Sequence, residues 1–191
     1  VGTTSIAVSL VDLTSGEVVS EAAVLNAQLR FGADIISRIQ YAATKPEGLR
    51  ELQRAAVDTV NSLLGTLRVS REVYTVTVAG NSVMLHLFFG IDPQPLGELP
   101  FEPVFRRGLI ARGRDLGLSV HPYAIVRSLP ILGGYVGGDV VGDILASGIQ
   151  EDRVALLMDV GTNGEVVVKK GERLFAASTP AGPAFEGVGL T

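Results

Sequence analysis

The stretch VALLMDVGTNGEVVV, Val154 to Val168, decides how this chain is read. An apolar run ends in Asp159, a Gly-Thr-Asn-Gly turn follows, and a second apolar run begins. Asn-Gly between two apolar runs is a strong short-range signal for a β-hairpin. The first line of the chain has the same grammar. Val1-Gly2-Thr3-Thr4 leads into SIAVSLVDL and then Ser15-Gly16-Glu17, just as Val160-Gly161-Thr162-Asn163 leads into EVVVKK and then Gly171-Glu172. One hairpin is used twice.

Composition narrows what such a chain can be. At 191 residues and 47% hydrophobic, it can bury one good core or two small ones. With 19% charged residues, 23 glycines and a mean hydropathy of +0.36, it reads as a tight α/β protein and not a disordered one. The net charge of −4 gives no basic field for nucleic acid or an anionic membrane. No apolar run is long enough to span a bilayer, and no signal-peptide pattern opens the chain, so the default is a soluble cytoplasmic protein. Cysteine is absent, which excludes disulfides, thiolate zinc sites and a cysteine-ligated iron–sulfur cluster within these residues. Val1 opens mid-motif without an initiator methionine, so a longer parent chain is expected.

Outward from the repeated hairpin, the elements follow in order. Residues 5–13 and 18–25 read as paired strands, the first apolar on both faces and so expected to be covered on both. Asp34 precedes a helical run containing Ile35, Ile36, Ile39 and Ala43, as an acid complementing the helix dipole. Leu49, Leu52, Ala56, Val60 and Leu63 recur at helical spacing, with Gly65 as the expected stop. Residues 73–79 read as a strand entering Gly80-Asn81-Ser82 and a helix over 83–89 closed by Gly90, which places Asn81 at a strand's carboxyl end. Residues 98–130 are the least periodic, with a weak strand near 123–127; Arg106, Arg107, Arg112 and Arg114 there read as a solvated segment. Between residues 132 and 148, Gly138, Gly142 and Ala146 share one helix face. Glycine inside a helix costs roughly 1 kcal/mol against alanine, so the stripe predicts a close helix–helix crossing. After the second hairpin, 174–178 reads as its return strand and 179–187 as a loop entering a helix, whose free amides would suit an anion.

The repeated turn has usable chemistry. Gly2 and Gly161 let backbone amides approach an anion, and Thr3, Thr4, Thr162 and Asn163 add side-chain donors. Asp159 closes an apolar strand, where an unpaired carboxylate is costly. Mg²⁺ would satisfy it, since that ion characteristically joins one or two carboxylates to phosphate oxygens. Each part is weak alone; the duplication and the glycine-striped helix together favour a phosphate clamp. His86, inside an apolar helix, reads as a satisfied core histidine, and no histidine–carboxylate cluster suggests zinc.

These hairpins resemble the phosphate motifs of the acetate and sugar kinase, heat-shock chaperone and actin superfamily. Residues 1–5 resemble its first phosphate motif, 158–165 its second, 137–148 its connecting helix, and 179–186 its later phosphate-contacting loop. The segments NAQLRFGADIISRI, AGNSVMLHLFFGIDP, LPILGGYVGGD, MDVGTNGEVVV and STPAGPAFEG narrow the resemblance to the nucleotide-binding domain of reductive activators of corrinoid proteins. It implies an α/β, actin-like and ribonuclease H-like fold with duplicated, hairpin-led mixed sheets. Residues 1–131 would form one subdomain, and 132–191 the connecting helix and the opening of a second. It also implies ATP and Mg²⁺ as ligands, and ATP hydrolysis coupled to reduction of a Co(II) corrinoid to Co(I) in a partner corrinoid protein. The electron would come from an iron–sulfur domain of the parent protein. Asp159 is then the catalytic and metal-facing acid. Gly2, Thr3, Thr4, Gly161, Thr162, Asn163, Gly182 and Pro183 would hold phosphate. Asn81 and Asp139 are cleft candidates that could equally be helix caps.

Two further readings stand beside this one: a small-molecule kinase on the same fold, with Asp34, Asp115 or Asp139 as base, or a non-enzymatic actin-like or chaperone-like switch. A homodimer is compatible with all three. The chain departs from the family pattern in lacking the acid expected before Val1, a cysteine-bearing domain, and the adenosine-contacting region expected after Thr191. Whether this piece turns over ATP by itself is left open by its residues. The residue preceding Val1 in the parent reading frame is expected to be Asp, downstream of a cysteine-rich ferredoxin pattern. An apolar residue there would sink the two-acid reading.

Overall fold

The computed structural model describes residues 1–68, 72–161 and 163–180. Its first hairpin pairs β1 (Ser5–Val11) with β2 (Val18–Leu25), Ser5 opposite Leu25. Asn26 then caps a 3-10 turn, Ala27–Arg30. Helix α1 (Ile35–Thr44) begins at Asp34, which is the N-cap itself: its carboxylate accepts the Ser37 N–H at 2.8 Å while Ser37 Oγ accepts from Asp34 N–H. This capping box replaces the looser dipole role read from the sequence.

Helix α2 (Gly48–Leu67) is the spine. Its apolar stripe turns Ala56, Val57, Val60, Leu63 and Leu64 into a core with Ile6, Val78, Leu85, Phe88 and Val126. Leu52 joins a second core with Ile35, Ile39, Met84, Leu87 and Leu96. Gly65 is not its stop. The helix runs on to Leu67, and Arg68 takes the left-handed cap at φ 57°, its N–H bonded to Gly65 O.

Strand β3 (Thr75–Val78) leads to α3 (Ser82–Phe89), closed by Gly90 at φ 69°. The irregular segment that follows contributes β4 (Ile110–Arg112) and β5 (Ile125–Ser128), ordered β3-β5-β4 with β3 and β5 parallel. The four arginines are exposed, Arg106 pairing with Glu102 at 2.5 Å and Arg114 with Asp115 at 3.3 Å. His86 is fully buried and satisfied on both nitrogens, by Ser82 O at 2.6 Å and the Val104 N–H at 3.0 Å.

Helix α4 (Gly138–Ser147) precedes a third sheet, an antiparallel meander of β6 (Val154–Val160), β7 (Asn163–Lys170) and β8 (Arg173–Pro180). Val160 faces Gly164, so Asn163-Gly164, expected in the turn, already belongs to β7. Residues 179 and 180 extend β8, where a loop was expected; the proposed helix entry beyond them lies outside the described residues.

Two expectations fail for stated reasons. Strand β1 is covered on one face only, because its ribbon is two-stranded: Ile6 is buried, while Val11 and the facing Val18 and Val19 are exposed. The glycine stripe is not a continuous helix seam either. Ala146 is exposed, and a Cβ on Gly142 would meet only the Leu129 side chain, at 3.4 Å. Within the stripe only Gly138 is tight, a Cβ there meeting Leu85 Cδ1 of α3 at 3.0 Å and Leu129 Cβ at 3.1 Å; the closest approach is at Gly137, where a Cβ would fall 2.5 Å from Asn81 Cα and 2.6 Å from Ser82 N, at the start of α3. Gly137→Ala is therefore expected to cost about 1–3 kcal/mol of stability by overpacking backbone. Gly142→Ala is expected to be neutral or to gain up to about 1 kcal/mol from helix propensity. Denaturant unfolding of the two variants checks this; equal losses would restore the stripe as a seam.

Candidate phosphate and metal cleft

The first loop, residues 1–4, is held from behind. Gly2 O accepts from Asn26 Nδ2 at 2.8 Å, Thr3 O from Arg38 Nη2 at 2.6 Å, and Thr4 O from Asn26 N at 2.8 Å. In a trans peptide the N–H points opposite to its C=O. Tying the Gly2 carbonyl to the core side therefore turns the Thr3 amide toward the cleft. Gly2 itself closes a tight turn, its N–H on Ser5 O at 2.9 Å, and a Cβ there would sit 2.7 Å from that oxygen.

Asn81 stands beside this loop. Its Oδ1 accepts the Met84 N–H at 2.9 Å, capping α3, and its Nδ2 donates to Thr3 Oγ1 at 3.0 Å. The cap and the cleft role were alternatives in the sequence; the geometry gives Asn81 both. Asp139, in the first turn of α4, is anchored through its N–H to Gly80 O at 3.2 Å, and its Oδ1 accepts the Val140 N–H.

These parts line a cavity of about 360 Å³ with Val1, Gly2, Thr3, Gly80 and Asn81 on one side and Asp139, Gly142, Asp143, Asp159, Gly161, Asn163 and Glu165 around the rest. An adjoining surface depression shares Asp143 and Asp159 with it and adds Ser147 and Met158. The first loop and the second hairpin thus face one cleft. Thr4 is buried but does not line it; Thr162, Gly182 and Pro183 lie outside the described residues.

Four carboxyls crowd the second wall, and two of them were not singled out by the sequence. Asp143 lies one helical turn after Asp139, so the i, i+4 spacing was the available signal. Glu165 lies opposite Asp159 in the β6–β7 ladder. It is 4% exposed and hydrogen-bonded by Ser178 Oγ at 3.1 Å. Burial, then the charge of Asp139, pushes Glu165 up to about 7. Burial and the neighbouring Asp159 and Asp139 push Asp143 up to about 6, and its Oδ2 is buried with no hydrogen-bond partner. Asp139 is raised in the same direction, first by burial and then by Asp159. Among the described residues, no group of three or more His, Cys, Asp or Glu side chains could hold a metal ion.

The sign of the linkage follows from the raised values. A carboxyl that holds its proton more tightly when folded contributes stability below its ordinary value of 4.5, and that contribution is lost as pH rises through about 7. In the absence of divalent cations, Glu165→Gln is expected to unfold at a higher temperature than the unsubstituted protein near about pH 8, with the difference shrinking toward about pH 5. Thermal unfolding across that range checks it; a pH-independent difference would mean Glu165 is not the strained carboxyl.

Comparison with known proteins places this geometry in a family. Residues 1–152 match the model of the RACo middle region, and residues 153–191 match that of the C-terminal domain of RACo, the ASKHA domain. The chain is 37% identical over 197 residues to the corrinoid activation enzyme RamQ of Eubacterium limosum, covering all of this chain and 33% of that protein. It is 24% identical to the [Co(II) methylated amine-specific corrinoid protein] reductase of Methanosarcina barkeri, again along its whole length and over 37% of that protein. A solved structure of a reductive activator for a corrinoid, iron–sulfur protein superposes with a TM-score of 0.96 at 36% identity, covering 99% of this chain and 31% of that one. The chain thus spans about a third of the length of the relatives it matches. The ASKHA domain implies ATP binding, and no helix among the described residues is long and apolar enough to cross a membrane. The two family models between them account for every residue, and the chain belongs to the RACo family of reductive activators of corrinoid proteins.

Proposed function

We propose that this chain is the nucleotide-hydrolysing part of an ATP-dependent activator that returns a corrinoid protein from Co(II) to Co(I). The observation that carries the reading is the pairing of two unlike walls across one cleft: a loop whose carbonyls are tied back, and a cluster of four carboxyls. A polyphosphate with its divalent cation satisfies both walls together.

The residues present fit that ligand. The amide after Gly2, with the Thr3 hydroxyl, would take phosphate oxygens. Gly161 and Asn163 would do so from the second hairpin; Thr162, Gly182 and Pro183, expected beside them, lie outside the described residues. Asp159 would face Mg²⁺, directly or through water, with Asp139 and Asp143 in support. When bound, the ion would draw charge from the phosphate oxygens and remove the reason for Asp143 and Glu165 to keep their protons. Asp159 and Glu165 are then placed to orient the attacking water. The free energy of hydrolysis would act mechanically, by changing how the walls approach each other and so the surface offered to the corrinoid protein. The electron would come from an iron–sulfur domain elsewhere in the complete protein.

The kinase reading has less support. Asp34 is consumed as the N-cap of α1 and Asp115 is exposed beside Arg114, so of the three candidate bases Asp139 alone lines the cleft. In the complete protein, Asp159→Ala is expected to lower Mg²⁺-dependent ATP turnover by a factor of about 10² or more, with the circular dichroism spectrum unchanged. Undiminished hydrolysis would refute the role of Asp159 and the site with it.

A further inference from the structure

We infer that Arg38 is the positioning residue of the first loop, and that its unpaired buried charge sets how tightly this loop takes a polyphosphate. The inference rests on the phosphate reading of the cleft given above and adds to it a residue that touches no ligand. Arg38 is fully buried in α1, 35 positions along the chain from the loop it holds.

Its guanidinium is satisfied entirely by neutral groups. Nε donates to Gly32 O at 3.0 Å, Nη1 to Gln28 Oε1 at 3.1 Å and to Met84 Sδ at 3.1 Å, and Nη2 to Thr3 O at 2.6 Å. Among the described residues, no carboxylate pairs with it. Asp34 is the nearest opposing charge, and that carboxylate is engaged in capping α1. Burial lowers Arg38 to about 10, so it still carries its proton at neutral pH.

An unpaired cation in a protein core is costly, and buried charges are normally paired. A glutamate in place of Gln28 would supply the missing partner, yet the chain has an amide there, held in turn by its own bond to Leu52 O at 2.8 Å. The charge is thus left uncompensated one carbonyl behind a loop that lines the cleft. Such a charge acts on an incoming anion through a low-dielectric medium, where it is screened far less than in water. The planar fork adds geometry, because it spans Thr3 O, Gln28 and Gly32 at once and fixes which way the Thr3–Thr4 peptide faces.

The test uses the complete protein with Arg38→Met, which removes charge and donors, and Arg38→Lys, which keeps the charge and loses the fork. ATP turnover and equilibrium binding of ATP, ADP and AMP are measured beside thermal unfolding. The expected result is a KM for MgATP raised about ten- to a hundred-fold in Arg38→Met, less in Arg38→Lys, with kcat at saturation much less changed. Affinity should fall more for ATP and ADP than for AMP. A purely structural brace would lower the unfolding temperature and the active fraction, and hence kcat, while leaving KM alone; that result overturns the inference. Should Arg38→Met fail to fold, KM in Arg38→Lys within about two-fold of the unsubstituted value overturns it equally. If Asp159→Ala is dead while both Arg38 variants keep their KM, this inference fails and the site stands. If Asp159→Ala hydrolyses normally, the site reading itself fails.

Discussion

Everything around the cleft depends on the two-residue step Gly80-Asn81. Asn81 divides one side chain between two tasks, capping α3 with its oxygen and holding the Thr3 hydroxyl with its nitrogen. Its Cα is the surface on which Gly137 rests, and Gly80 both receives the Asp139 N–H and packs against Val1 O, which a Cβ would approach to 2.5 Å. The first loop, α3 and α4 are therefore registered against one another at a single point of backbone, at the carboxyl end of β3. Positions so constrained need glycine for space and a short bifunctional amide for bonding. This is why the sequence around them is punctuated by residues that look, individually, like ordinary turn formers.

From that point the cleft's electrostatics follow. One wall presents amides and a hydroxyl with a buried guanidinium behind it; the other presents Asp139, Asp143, Asp159 and Glu165. An anion alone would meet the acids, and a cation alone would find no cage of three protein ligands among the described residues. Burial first, and then the neighbouring acids, raise Asp143 to about 6 and Glu165 to about 7. A metal–polyphosphate complex is the ligand class that relieves both walls together, which is the physical basis of the proposed nucleotide site.

How much of this was legible in the sequence depended on range. The duplicated hairpin, the spine helix α2 and the strand-to-helix switch at Asn81 are local patterns that periodicity located, with end points that shifted: α2 runs past Gly65 to Leu67, and Asn163-Gly164 opens β7. The brace behind the first loop was not legible. Arg38 meets Thr3 across 35 residues, and an arginine in an amphipathic helix gives no hint that its head turns inward. Glu165 was hidden differently: alternation in a strand says that residues alternate, not which face meets a cleft. Strand β4 has three residues, too few for a period. The glycine stripe was right at Gly138, which meets Leu85 of α3, and misled at Gly142 and Ala146, because spacing alone places residues on one face while the strongest steric demand sits one position earlier, at Gly137.

The two walls are built into different parts of the chain, and this bears on coupling. The first loop is built into the larger cores around α2, through Ile6 and the Asn26–Arg38 brace. The carboxyl wall rides on α4 and the β6–β7–β8 sheet, whose own buried core among the described residues is Val140, Ile149 and Val167, lined by half-buried Val136, Ile144, Ala155 and Leu157. Asp139, tied to Gly80, is where the two walls meet. A ligand gripped by Asp159 and Gly161 on one side and by Gly2 and Thr3 on the other would add contacts across that seam, and its loss on hydrolysis would remove them. On the proposed reading, a nucleotide therefore acts on how the two walls approach each other, because its contacts differ between the bound and the hydrolysed state.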